Sequence, residues 1–128
     1  MKRGIALGAL VVAGVVSLAV AAAQQGPGAG GEQQAPKVVE VEKLRDNLFV
    51  LKGGGGNTAA FIRANGVVVV DTKNPGWGQP LLDKIKTLTD KPVTMIINTH
   101  THGDHVSGNV EFPATVDVIA HENTKLNM

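Results

Sequence analysis

Residues 93–105, VTMIINTHTHGDH, carry an apolar run directly into a histidine cluster. Residues 93–98 are rich in β-branched and apolar side chains, which predicts a strand buried on both faces. The run from His100 to His105 holds three of the chain's four histidines and an aspartate within six positions. Sites on open α/β sheets form where strands end. The H-x-H-x-D-H spacing therefore predicts a metal site at the end of this strand.

The residue types of the cluster suit a divalent cation. His100 and His102 are two residues apart, so on an extended loop they can point to one side and share an ion. Asp104 and His105 follow the Gly103 turn, face another direction and can begin a second site. A solvated histidine-rich loop is the alternative, but four ligand-type side chains in six positions disfavour it. Because the chain has no cysteine, any ligand is nitrogen or oxygen, which suits zinc, iron and manganese alike.

The N-terminus has the pattern of a secretory signal peptide. Lys2 and Arg3 precede an apolar stretch, and three alanines at 21–23 form a small-residue cleavage site. We therefore expect residues 1–23 to be a signal peptide and the protein to be periplasmic or secreted. An uncleaved membrane anchor is the alternative, since the apolar stretch is nearly as long as the roughly 20 residues that span a bilayer.

Composition divides the remainder of the chain. Residues 24–36 are rich in Gly, Gln, Pro and Ala, which predicts a flexible linker before a domain at 37–128. The net charge of +1 and the scattered basic residues exclude a nucleic-acid footprint. We expect a small-molecule substrate and, after signal cleavage, no membrane association. The sequence leaves the oligomeric state open.

The domain has a mixed α/β pattern. The run Val67-Val68-Val69-Val70 is apolar on both faces, which predicts a central strand. A following helix has Leu81, Leu82, Ile85 and Leu88 on one stripe. Strand, helix and strand at this spacing predict a crossover between parallel neighbours. Predicted strands cover residues 38–44, 48–51, 58–63, 67–72, 93–98 and 116–120, and predicted helices cover 79–88, 107–111 and 122–128.

The segment Asn98-Thr99-His100-Thr101-His102-Gly103-Asp104-His105-Val106-Ser107-Gly108-Asn109 resembles the signature of the metallo-β-lactamase superfamily. Gly56-Asn57 opening a strand, and an apolar strand ending in Asp71-Thr72 before a helix, follow in the order that the family uses. The resemblance implies the N-terminal half of an αββα sandwich with two ions, most often Zn²⁺, at one edge.

The same resemblance implies roles for individual residues. His100 and His102 would bind the first ion, and Asp104 and His105 the second. Asp104 would also be catalytic, because it would orient a metal-bridged hydroxide. Asp71 would hold the histidine loop by hydrogen bonds. An alternative for Asp71 is that it only accepts bonds from the following turn.

The family's pattern takes a further aspartate and two further histidines from later in the chain, and none follows His121. We therefore expect these 128 residues to be part of a longer protein, and to be inactive and weak in zinc binding on their own. A half-domain that works by pairing is the alternative.

The function expected from the resemblance is an exported metal-dependent hydrolase of a small ester, lactone, thioester, amide or phosphoester. Two alternatives stay open: an iron-dependent dioxygenase or di-iron redox protein of the same fold, and a non-enzymatic periplasmic metal-binding module. The substrate and the choice among zinc, iron and manganese are not fixed by these residues.

Three features outside the cluster have simpler interpretations. His121 is expected at a helix end or on the surface, and Trp77 as a packing cover over the following helix. The glycine run at residues 53–56 predicts a loop. The segment from Gly53 to Asn57 is either a plain flexible hairpin loop or a mobile flap near the substrate.

Overall fold

The structure is a computed structural model that describes residues 35–128. The predicted signal peptide and most of the predicted linker lie outside the described residues. Within residues 35–128, no helix has the length and apolar character needed to cross a bilayer.

A single six-stranded sheet organises the domain, with its strands in sequence order from one edge to the other. The first four strands are antiparallel neighbours, and the last three are parallel. This mixed α/β architecture confirms the predicted fold class. The elements are β1 (Glu40–Arg45), β2 (Leu48–Lys52), β3 (Thr58–Arg63), β4 (Gly66–Val70), α1 (Gly78–Lys86), β5 (Val93–Asn98), α2 (Gly103–Val106), a 3₁₀ helix (Ser107–Glu111), β6 (Asp117–Ala120) and α3 (Glu122–Leu126).

The strand predicted at residues 67–72 is shorter than expected. It ends at Val70, and the chain then leaves the sheet through Asp71 and Lys73, whose φ angles are 63° and 72°. A left-handed conformation is uncommon for residues other than glycine, although aspartate adopts it more readily than most. Apolar periodicity therefore located the strand, but it did not reveal the sharp turn at its end.

Helix α1 packs on one face of the sheet and closes the core. Leu81 and Ile85 on its buried stripe belong to the same hydrophobic cluster as Val67, Val69 and Ile96. The predicted crossover is present, because α1 connects the parallel strands β4 and β5. The opposite face of the sheet is apolar but more open, with Phe61 40% and Ile119 49% exposed.

The N-terminus of α1 is held by a carboxylate from outside the helix. Trp77 at the N-cap makes no side-chain capping bond. Glu111 instead accepts hydrogen bonds from the backbone N–H groups of Gly76 (2.6 Å) and Gln79 (2.9 Å). An anionic group satisfies free N–H donors there and interacts favourably with the helix dipole. This contact also ties α1 to the 3₁₀ helix that follows the histidine cluster.

We predict that Leu81→Ala lowers the free energy of unfolding by about 2 to 5 kcal/mol, because it opens a cavity in a fully buried part of the core. Lys86→Ala on the exposed side of the same helix is the control, with an expected change within about 0.5 kcal/mol. Chemical denaturation measures both. Equal effects of the two substitutions would contradict the assignment of the buried face.

Candidate metal centre

The carboxyl ends of β4 and β5 bring the candidate residues to one edge of the sheet. The two strands are parallel neighbours, with Val70 beside Ile97. The backbone N–H of Asp71 donates to the carbonyl oxygen of Ile97 over 3.0 Å, which extends the pairing past the end of β4. Asp71 consequently lies beside the start of the histidine run, although Thr99 is 28 positions further along the chain.

The Asp71 carboxylate is the most connected polar group at this edge. Its Oδ1 accepts from the backbone N–H of Thr99 over 2.8 Å, and its Oδ2 accepts from the Thr99 hydroxyl over 2.7 Å. The same Oδ2 lies 2.8 Å from Nδ1 of His105. Asp71 is only 4% exposed. Both carboxylate oxygens are therefore occupied by contacts that hold the histidine loop.

These contacts set the tautomers of two imidazoles. Nδ1 of His105 donates to Asp71, because a carboxylate oxygen can only accept. The Thr99 hydroxyl uses its proton toward Asp71, so it accepts from Nδ1 of His100, 2.9 Å away. In its neutral form, each ring with a proton on Nδ1 presents a lone pair at Nε2. Hydrogen bonding of the other ring nitrogen to a carboxylate is the usual way that a ligating histidine is oriented.

Three histidine rings and two carboxylates form one group. Donor atoms of Asp71, His100 and His105 lie within 4.8 Å of one another. The His100 ring centroid is 4.1 Å from that of His105 and 4.7 Å from that of His102. Asp104 joins the group through Oδ2, which is 3.4 Å from Nε2 of His105.

All five sequence-predicted residues therefore meet at one place, but the geometry does not divide them into two pairs. The rings of His100 and His105, which were predicted to bind different ions, are nearer to each other than those of His100 and His102. The assignment of residues to two ions stays a prediction.

The donor set fits a divalent cation. Nε2 of His105 lies 3.4 Å from Oδ2 of Asp104, so an imidazole nitrogen and a carboxylate oxygen are close enough to bind one cation together. Imidazole nitrogen and carboxylate oxygen are both good zinc ligands. His102 is exposed at the N-cap of α2, so its ring is also free to turn.

A second set of polar groups supports the backbone of the histidine run. The carbonyl oxygen of His105 accepts from the backbone N–H of Thr72 over 2.7 Å. The Thr72 hydroxyl donates to Asn109 Oδ1 over 2.6 Å, and the amides of Asn98 and Asn109 bond to each other. The sequence analysis assigned no role to Thr72, Asn98 or Asn109. The available signal was Asn98, a polar residue that ends the strand directly after the apolar run Met95-Ile96-Ile97.

The glycine loop, residues 53–56, lies against the cluster. The backbone N–H of Gly56 donates to the carbonyl oxygen of Asp104 over 3.1 Å, and a Cβ on Gly56 would overlap the His105 ring. At the other side of the loop, a Cβ on Gly54 would overlap the ring of Trp77. Trp77 therefore packs under the glycine loop as well as against the core, and the loop is held in place by backbone bonds.

Lys73 is a further residue that sequence reasoning missed. Its side chain is fully buried, and Nζ donates to the carbonyl oxygens of Leu51 (2.9 Å) and Gly56 (2.8 Å). Burial lowers the pKa of Lys73 to about 8, because desolvation disfavours the charged form. Nothing in the local sequence distinguishes this lysine from the exposed ones.

His121 lies outside the cluster, as predicted. Its Nδ1 accepts from the backbone N–H of Asn123 over 3.2 Å, so it caps the N-terminus of α3.

Comparison with known proteins identifies the family. A profile described as the Metallo-beta-lactamase superfamily matches residues 51–126. The chain belongs to the metallo-β-lactamase superfamily. The "Metallo-beta-lactamase type 2" of Elizabethkingia meningoseptica is 34% identical to it, over 59% of this chain and 34% of that protein. The "Metallo-beta-lactamase domain-containing protein 1" of Rattus norvegicus is 32% identical, over 54% of this chain and 28% of that protein.

Solved structures of the superfamily share the fold. The subclass B3 metallo-β-lactamase BJP-1 of Bradyrhizobium japonicum is 30% identical, with a TM-score of 0.50, over 56% of this chain and 28% of that one. A metallo-β-lactamase from Hirschia baltica superposes with a TM-score of 0.61 at 24% identity, over 70% of this chain and 46% of that one. The chain spans about a third of the length of the curated relatives described above.

We predict that Asp71→Asn changes the tautomer of His105 and lowers the free energy of unfolding by about 1 to 3 kcal/mol. An amide offers one acceptor oxygen where three donors converge, so at least one donor loses its partner. Imidazole ¹⁵N NMR and chemical denaturation measure the two effects. Asp83→Asn, at an exposed carboxylate of α1, is the control. An unchanged His105 tautomer in Asp71→Asn would refute the orienting role.

We predict that Gly56→Ala displaces the His105 ring and weakens Zn²⁺ binding by about 10 to 100-fold, the size typical of changes behind a metal ligand. The φ angle of Gly56 is not in the left-handed region, so the effect comes from the added methyl group. Gly103→Ala is the matched control, because its Cβ would meet only the end of the Ser107 side chain at 3.2 Å. Competition with a chromophoric chelator measures both affinities, and equal values would contradict the prediction.

Proposed function

We propose that this chain is the histidine-bearing part of an exported, metal-dependent hydrolase that acts on a small ester, lactone, thioester, amide or phosphoester. One observation carries the proposal: the rings of His100, His102 and His105 and the Asp104 carboxylate lie side by side where two parallel strands end. Membership of the metallo-β-lactamase superfamily supports metal-dependent hydrolysis as the class of reaction.

In the proposed site His100, His102, Asp104 and His105 hold the metal, with zinc as the first candidate. When bound, Zn²⁺ would polarise a carbonyl or phosphoryl oxygen and lower the pKa of water. Asp71 serves better as the residue that positions the ligands, because both of its oxygens already accept hydrogen bonds. The negative charge of Asp71 also raises the basicity of the His105 ring and so makes it a stronger metal ligand.

The chain's own residues would contribute orientation and proton transfer. Asp71 keeps the proton of His105 on Nδ1, which leaves Nε2 directed toward the reacting side of the site. The Asp104 side chain is 45% exposed at the mouth of the cluster. Its carboxylate can therefore orient an attacking water molecule and accept a proton at Oδ2, in the role of a general base.

Metal analysis and a substrate panel on the full-length protein, purified from its native host, test the proposal. We expect zinc and turnover of at least one ester, lactone, thioester, amide or phosphoester. Because the relatives from Elizabethkingia meningoseptica and Bradyrhizobium japonicum are named metallo-β-lactamases, β-lactams belong in the amide set. Iron together with oxygen consumption would replace the hydrolase by a redox function of the same fold. Tight metal binding without turnover would favour a metal-binding module.

We predict that His102→Ala in the full-length protein lowers kcat/KM by more than about 100-fold and reduces metal content. The loss of a metal ligand should lower activity more than the roughly 10 to 100-fold typical when a residue that hydrogen-bonds to a ligand is replaced. His121→Ala is the matched histidine control and should change neither quantity, because His121 caps α3 away from the cluster. Retained turnover and metal content in His102→Ala would remove His102 from the site.

A further inference from the structure

Lys73 combines two unfavourable features in one residue. Its side chain is completely buried, and its φ angle of 72° lies in the left-handed region. Lysine is almost never fully buried unless it is paired, and a left-handed backbone favours glycine. Among residues 35–128, no carboxylate oxygen lies within salt-bridge distance of its ammonium.

Stability alone does not explain a lysine at this position. Moving an ammonium group out of water is strongly unfavourable, and hydrogen bonds to neutral carbonyl oxygens offset only part of that cost. A glycine would relieve the backbone, and an apolar side chain would fill the space without a charge. Residues in strained conformations concentrate at functional sites. Lys73 lies two positions after Asp71, at the same edge of the sheet as the histidine cluster.

The contacts of Lys73 join the segments around the cluster. Its ammonium donates to the carbonyl oxygens of Leu51, in β2, and of Gly56, at the end of the glycine loop. Its own carbonyl oxygen accepts from the backbone N–H of Gly108, in the 3₁₀ helix after the histidine run, over 3.2 Å. Lys73 thus connects β2, the glycine loop and the 3₁₀ helix that follows the histidine cluster.

Only one residue separates this ammonium from the imidazole of His105. Gly56 packs directly against the His105 ring, and its carbonyl oxygen accepts the hydrogen bond from the Lys73 ammonium. The N–H of Gly56 also bonds to the carbonyl oxygen of Asp104. A shift of the Gly56 peptide would therefore change the space available to the His105 ring. It would also change the position of the Asp104 backbone.

We propose that Lys73 is a positioning residue for the metal centre: its ammonium holds the Gly56 carbonyl oxygen and so keeps the glycine loop packed against the His105 ring. The proposal rests on the proposed function, because it treats His105 as a metal ligand. It adds a residue that would not itself touch metal or substrate. Removal of the ammonium should free the loop, widen the range of His105 orientations and weaken the affinity for a divalent cation.

Chemical modification separates the ammonium from the rest of the side chain. These 128 residues contain no cysteine, so Lys73→Cys provides an alkylation site in this domain. The full-length variant is alkylated in denaturant and refolded. 2-Bromoethylamine rebuilds a lysine-like side chain with its ammonium, and 1-iodopropane builds a neutral chain of the same length. Lys73→Met, expressed without refolding, provides a second neutral side chain.

We expect the aminoethyl product to bind Zn²⁺ within about threefold of the unmodified protein, and the propyl product and Lys73→Met to bind about 10 to 100-fold more weakly. In the metal-free protein, the ¹H and ¹⁵N signals of the His105 ring should broaden or shift in the two neutral forms only. Lys52→Cys with the same reagents is the matched control, because Lys52 is partly exposed at the end of β2 and pairs with Glu42. Its two products should agree.

Equal Zn²⁺ affinity and equal His105 signals in the aminoethyl and propyl products would overturn the positioning role. Unmodified protein carried through alkylation and refolding measures any effect of the treatment. If that protein binds no Zn²⁺, the proposed function fails, and the His105 signals of the metal-free forms still decide whether the Lys73 ammonium positions the ring.

Discussion

The carboxylate of Asp71 is the interaction on which the rest of this site depends. It is buried, and it receives three hydrogen bonds that start from two places in the histidine run, Thr99 and His105. Those bonds fix the path of the loop and the proton positions of two rings together. Charge-assisted hydrogen bonds of this kind are about twice as strong as neutral ones. A protonated or amidated side chain would offer fewer acceptors, so the anionic form is the one that organises the loop.

The sequence predicted the sheet and the donor atoms because both depend on short-range patterns. Apolar runs at residues 67–70 and 93–98 located β4 and β5, and the helical stripe between them required a parallel crossover. The resemblance to the metallo-β-lactamase superfamily associated Asp71 with the histidines, and the structure brings them together because the parallel strands β4 and β5 end at the same edge. The grouping of ligands was harder to predict, since it depends on the relative positions of the rings, which the spacing of the histidines along the sequence does not determine.

What the sequence did not predict has a common physical origin in the backbone. The left-handed turn at Asp71 and Lys73 ends β4 early and directs the lysine side chain inward, toward the carbonyl oxygens of Leu51 and Gly56. A lysine in a loop is ordinarily solvated, so residue type alone predicts the opposite. The glycine loop was likewise predicted from composition, but its position follows from contacts with Trp77, with the backbone of Asp104 and with the Lys73 ammonium.

These contacts divide the cluster into a fixed part and an adjustable part. His105 bonds to Asp71 directly and His100 does so through the Thr99 hydroxyl, so both rings share one buried anchor. His102 and the side chain of Asp104 are more exposed and belong to the first turn of α2. Rotation of exposed side chains is inexpensive, whereas moving an anchored ring breaks charge-assisted bonds. A cation entering this site would therefore meet two imidazoles already in position, and the other two ligands would adjust to it.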